Sequence, residues 1–149
     1  MFRAMARTGV AGRPDAVDDE SWFPAAHEAI AAGITRGTLG AFVIDDVPKH
    51  LNGCGHSLLL ACAIATLEQR VPGPGFPRGI SGTMSSVFVE PEQRGRGLAR
   101  AVVTVALSWL QEKNAEVVDL HATPDAERLY RSLGFSEPRS VSLRRVSPR

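Results

Sequence analysis

Cysteine, tyrosine and long apolar runs are scarce in this sequence. Its 149 residues include 2 Cys and 1 Tyr, and neither Cys54 nor Cys62 belongs to a CxxC or metal-ligand spacing. A disulfide framework and a cysteine-held metal are therefore not expected, and a reducing cytoplasm is the compartment that fits. The longest uninterrupted apolar run spans residues 58–65, far short of the roughly 20 residues a membrane helix needs, so no membrane association is expected. The first thirty residues hold no apolar h-region, which argues against a cleaved secretory signal. Charge of one sign is missing too. A net charge of +1 supplies no global field for gripping a polyanion, and nucleic acid is not an expected partner. The one asymmetry is a run of Arg139, Arg144, Arg145 and Arg149 with no acid after Glu137, read as a solvated edge strand and chain terminus.

What remains is ordinary globular chemistry: 44% hydrophobic and 22% charged residues, in a chain long enough to bury a core as one domain. Residues 1–20 show no sustained periodicity and are expected to be weakly ordered, leaving residues 21–149 as the domain. Trp22, Phe23, Ala26, Ile30 and Ile34 recur at helical spacing. Residues 38–47 and 57–67 read as adjacent strands around a Pro/Gly break. Three prolines and three glycines within residues 71–79 predict a loop. Residues 81–89 read as a strand that Pro91 stops, after which Leu98, Val102, Val105, Ala106, Trp109 and Leu110 mark a helix pressed on a sheet. A strand over 116–122, a short helix over 125–133 and a last strand over 141–146 complete the order. No internal repeat is present.

Chemistry concentrates where the third strand runs into the long helix, at Val87-Phe88-Val89-Glu90-Pro91-Glu92-Gln93-Arg94-Gly95-Arg96-Gly97-Leu98-Ala99. Gly95 and Gly97 allow the backbone to turn, and a helix starting near Leu98 offers unpaired N–H groups and the positive end of its dipole, the arrangement that captures a phosphate. A P-loop would need Lys followed by Ser or Thr after the second Gly, and neither is there. A dinucleotide fingerprint would need Gly where the chain has Arg100, with Asp119 at the usual distance for a ribose-binding acid. A plain strand-to-helix turn would use the same glycines.

With these residues the chain resembles a GNAT-type N-acetyltransferase. The pyrophosphate signature of that superfamily, Gln or Arg, two residues, Gly, one residue, then Gly or Ala, is matched by Arg94, Gly97 and Ala99. A second motif, Leu129-Tyr130-Arg131-Ser132-Leu133-Gly134-Phe135, follows one helix and one strand later, as in the family. The resemblance implies an α/β fold, a mixed and largely antiparallel central sheet flanked by helices in a single domain, and acetyl-CoA as cosubstrate for transfer to a primary amine. It also implies that Val87, Phe88 and Val89 would present main-chain groups to the pantetheine arm and thioester. Arg94, Gly95, Arg96, Gly97, Leu98 and Ala99 would wrap the pyrophosphate, and Thr123 stands where many members carry an Asn that contacts the same arm.

Tyr130 falls at the family position of the general acid for the leaving thiolate, and its phenol near pKa 10 stays protonated at neutral pH. The base is left open among Glu68, Glu90 and His121, the last forming an alternating face with Asp119. Cys62 reads as a small core residue and Cys54 as a loop thiol. The acceptor is expected to be a small-molecule or peptide amine, and a homodimer fits the family habit. Two other readings stand beside this one: an acyl-CoA-binding module without turnover, and a dinucleotide-binding protein.

Overall fold

The structure, a computed structural model, describes residues 20–46, 58–140, 143 and 145. The N-terminal segment expected to be weakly ordered lies outside the described residues up to position 19, as does Cys54. So does most of the expected strand over 141–146, whose described residues Leu143 and Arg145 carry no strand pairing.

The elements otherwise follow the predicted order: α1 (Phe23–Arg36), β1 (Leu39–Asp46), β2 (Leu58–Gln69), β3 (Ile80–Val89), α2 (Leu98–Glu112), β4 (Val117–Leu120) and α3 (Pro124–Ser132). One sheet holds the strands in the order β1-β2-β3-β4. The first three are antiparallel, while β4 runs parallel to β3, because α2 carries the chain back to the starting end of the sheet before β4 begins. The fold is the mixed α/β sheet flanked by helices that the sequence leads one to expect.

Alternation along β2 decides which face is covered. Ala61, Ala63 and Ala65 are fully buried and share one cluster with Val102, Val103, Ala106 and Leu110 of α2, Met84 of β3 and Tyr130 of α3. Alanines on the sheet and a glycine beneath Leu110 let α2 lie close. A Cβ added to Gly82 would come 2.8 Å from Leu110 Cδ2, a separation that allows no further carbon. On the opposite face Cys62, Phe88 and Leu59 form a smaller cluster.

The 71–79 loop is pinned. Arg70 N–H donates to the Gly79 carbonyl at 2.7 Å, and the N–H groups of Arg78 and Gly79 both donate to Glu116 Oε2, at 2.9 and 3.1 Å. Thus the residue just before β4 fixes the entry into β3, and the two parallel strands start in register at Ser81 and Val117.

Candidate functional site

β3 outruns its parallel neighbour. Pairing with β4 ends at Met84 opposite Leu120, yet β3 continues to Val89. Along residues 85–89 the edge that faced β4 has no strand on it among the described residues. On the other side β3 still pairs with β2, but the register slips: Ser85 faces Ile64 and Phe88 faces Cys62, so two residues of β3 oppose one of β2. This is a β-bulge, and Ser86 within it has φ 53, the left-handed region that a non-glycine residue enters only when its surroundings hold it there.

The bulge changes which main-chain groups face outward. Glu90 N–H donates to the Leu60 carbonyl at 2.9 Å, so by alternation Phe88 also turns its main-chain groups to β2, and Val87 and Val89 turn theirs to the vacated edge. The Val89 carbonyl does receive a bond from that side, from Arg94 Nε at 3.4 Å. The side chains of Val87 and Val89 meanwhile pack on the core cluster that contains Met84 and Tyr130. Three residues expected to present a backbone edge therefore divide, two outward and one inward.

Beyond Val89 a short 3-10 turn (Pro91–Gln93) leads to Arg94, then Gly95 with φ 76 and Gly97 with φ 79. Both glycines occupy the left-handed region, and an added Cβ would meet nothing within 4 Å at either. The demand at these positions is thus conformational, and the space above the loop is open. Helix α2 starts at Leu98 with no side-chain cap and no acid in its first turn. Its first bond back comes from Ala101 N–H to the Gly97 carbonyl at 3.0 Å, leaving the N–H groups of Leu98, Ala99 and Arg100 without an intrahelical partner. Three arginines belong to this loop and the first turn of α2. Arg94 bonds a carbonyl, Arg96 bonds Gln93 Oε1, and Arg100 Nη2 donates to Ser132 Oγ at 2.7 Å. All these partners are neutral, and among the described residues none of the three arginines is in an ion pair. Oriented amides and cations without an acidic partner are an arrangement that suits an anion.

Tyr130 is 6% exposed; its ring meets Phe135 edge-on at 5.8 Å. Its hydroxyl has no hydrogen-bond partner among the described residues, although no sealed polar side-chain atom there lacks one. The phenol oxygen therefore opens to solvent while the ring is buried. Burial pushes the phenol above its ordinary value of 10.0, so it is a proton donor across the neutral range. The backbone of this turn is closed by the Tyr130 carbonyl, which accepts from Leu133 N–H at 2.9 Å and Phe135 N–H at 3.1 Å.

The other residues singled out from the sequence separate. Thr123 precedes α3, its carbonyl accepting from Ala126 and Glu127 at 2.9 and 3.1 Å while its hydroxyl makes no bond among the described residues. Glu90 follows the last residue of β3, directly before the 3-10 turn that leads to the glycine loop, and is half-buried. Glu68 is exposed and pairs with Ser81, at the far end of β3. His121 and Asp119 are both exposed, and no hydrogen bond joins them among the described residues. A hollow of about 400 Å³ lined by Arg70, Val71, Phe76 and Val117 also lies at that far end, away from the glycines and Tyr130.

Sequence reasoning did not find Ser86 or Glu116. Serine has no preference for the left-handed region, and its conformation follows from a strand register that no local signal encodes.

Comparison with known proteins places these features in a family. The sequence model of the Acetyltransferase (GNAT) family matches residues 18–135. A mycothiol acetyltransferase from Thermobispora bispora is 39% identical over 64 residues, which are 39% of this chain and 22% of that protein. The chain spans about half or less of the length of the curated relatives it matches. Among solved structures, a GCN5-related N-acetyltransferase from Ralstonia eutropha has a TM-score of 0.71 at 22% identity, covering 96% of this chain and 88% of that one. A predicted acetyltransferase with acetyl-CoA from Clostridium acetobutylicum has a TM-score of 0.72 at 17% identity, covering 96% and 84%. Among the described residues no helix is long and apolar enough to cross a membrane.

Proposed function

The chain belongs to the acetyltransferase (GNAT) family, and from that premise we propose that it transfers an acetyl group from acetyl-CoA to a primary amine of a small molecule or peptide. The observation that carries this reading is the free edge of β3 at Val87 and Val89, which leads without interruption into the Gly95 and Gly97 loop and the uncapped start of α2. An elongated ligand with a diphosphate at one end and a hydrogen-bonding amide arm at the other suits such a track. The Clostridium acetobutylicum structure that shares this fold contains acetyl-CoA.

Bound acetyl-CoA supplies a thioester whose carbonyl carbon the amine attacks. Arg94, Arg96 and the N–H groups of Gly95, Gly97, Leu98 and Ala99 hold the pyrophosphate. Val87 and Val89 N–H bind the pantetheine arm and the carbonyl oxygen, where negative charge develops. A fixed donor in that position is worth about 3 to 4 kcal/mol. Thr123 offers its unbonded hydroxyl to the arm. Tyr130 protonates the departing sulfur, because its open hydroxyl is kept neutral by the burial of its ring. Of the three base candidates Glu90 stands at the site end of β3, and it removes the amine proton directly or through water.

The test is release of free coenzyme A thiol across a panel of primary amines. Amine-dependent release in the wild-type protein supports transfer. Acetyl-CoA binding with no release for any amine favours an acyl-CoA-binding module.

A further inference from the structure

One of the two amides facing the vacated edge belongs to the peptide between Ser86 and Val87, and the bulge leaves that peptide outside the regular ladder. Ser86 lies in the bulge with no partner of its own on β2, so no ladder hydrogen bond holds its carbonyl, and strand pairing reaches this peptide only through the alternation carried over from Phe88. One side chain adds a direct hold. The Sγ of Cys62 lies 3.5 Å from the Ser86 carbonyl oxygen, within reach of an S–H donor. Cys62 is fully buried, free and on the strand facing the bulge. In a trans peptide the carbonyl and the following N–H point in opposite directions, and no cis peptide is present among the described residues. Holding the Ser86 carbonyl toward Cys62 therefore turns the Val87 N–H away from β2 and onto the open edge.

We propose that Cys62 is a positioning residue that, by donating its S–H to the Ser86 carbonyl, keeps the Ser86–Val87 peptide turned so that Val87 N–H faces the reacting carbonyl oxygen. This rests on the acetyl-transfer reading for its consequence, although the orientation of the peptide does not. It explains why serine tolerates φ 53 at this point: a left-handed residue persists where neighbours over-determine it, and the Cys62 bond is such a constraint. It also gives the buried cysteine a task beyond filling space. Burial pushes its thiol up from the ordinary 9.0, which keeps the proton needed for donation.

The experiment compares Cys62→Ser, which retains a donor, with Cys62→Ala, which does not; both lose the sulfur's volume, so the shared packing loss cancels. Cys62→Val serves as the donor-free variant if the alanine form does not fold. With valine amides labelled, the Val87 N–H resonance of the free protein should move in the donor-free variant and return toward its wild-type position in Cys62→Ser. Turnover should fall about tenfold in the donor-free variant, short of the 10²–10³ for a donor removed outright. The acetyl-CoA KM should stay within about twofold, and Cys62→Ser should recover most of the loss, because a transition-state contact acts on kcat. A Val87 resonance unmoved in every variant, or equal turnover in the alanine and serine forms, overturns the proposal. If the wild-type protein turns over no amine, the transfer reading fails by itself, and the Val87 resonance still decides whether Cys62 sets the peptide.

Discussion

Arg100 Nη2 donates to Ser132 Oγ at 2.7 Å, and Ser132 Oγ donates in turn to the Leu129 carbonyl at 2.6 Å. The first turn of α2, next to the glycine loop, is thereby fastened to the last turn of the helix that carries Tyr130. Two parts of the proposed site that are remote in sequence share one hydrogen-bond chain, and Arg100 keeps its charge without an acidic partner among the described residues.

The two partners of this chain should separate on mutation. Arg100→Ala removes a cation from the phosphate end and should raise the acetyl-CoA KM about five- to tenfold, an effect that shrinks as salt is added. Ser132→Ala keeps the cation and cuts only the tie. It should leave KM within about twofold and lower kcat a few-fold, since a guanidinium–hydroxyl hydrogen bond, charge-assisted but exposed to solvent, is worth about 1 kcal/mol. Steady-state kinetics at two ionic strengths distinguishes these outcomes.

For Tyr130→Phe the ring, and with it the 5.8 Å contact to Phe135, is retained while the acid is lost. Turnover should drop about 10² or more, with acetyl-CoA affinity and melting temperature nearly unchanged. The sign of the pH effect follows from the raised phenol. The neutral form is preferred in the folded state, so its contribution to stability is complete below the ordinary value of 10.0 and is lost as pH rises through the higher folded-state value. The loss of kcat tied to this group should accordingly begin above about 10 and be absent from the residual activity of Tyr130→Phe. A pH-rate profile of both proteins checks it.

Glycines on either side of the site should fail in different ways. Gly97→Ala meets no neighbour within 4 Å but must hold φ 79, at a cost of about 1 to 2 kcal/mol, and should raise the acetyl-CoA KM by shifting the loop. Gly82→Ala would place its Cβ 2.8 Å from Leu110 Cδ2; overpacking costs about 1 to 3 kcal/mol and should lower the melting temperature with little change in KM. Thermal unfolding beside cofactor titration resolves the pair.

Much of this architecture is legible in the letters because it is local. Ile30 and Ile34 repeat at helical spacing, the 71–79 loop is punctuated by Pro and Gly, and both observed bounds of α2 fall close to the ends of its apolar stripe. Gly95, Gly97 and Tyr130 are legible through two motifs in fixed order. What is not legible depends on partners far along the chain. The left-handed Ser86 follows from the register between β2 and β3, Glu116 is separated by a whole strand and helix from the loop amides it accepts, and Cys62 reads as simple core until its neighbour across the sheet is known. The exposed Asp119 and His121 show the converse: alternation along a strand puts two polar residues on one face but does not join them.

The most direct trial of the account follows backbone amide resonances during titration with acetyl-CoA. Shifts at Val87, Val89, Gly95, Gly97, Leu98 and Ala99, with none at Arg70, Val71, Phe76 and Val117, are the predicted result. Saturable binding that instead perturbs the hollow at the far end of β3, or no perturbation of the glycine loop at saturating ligand, would contradict it.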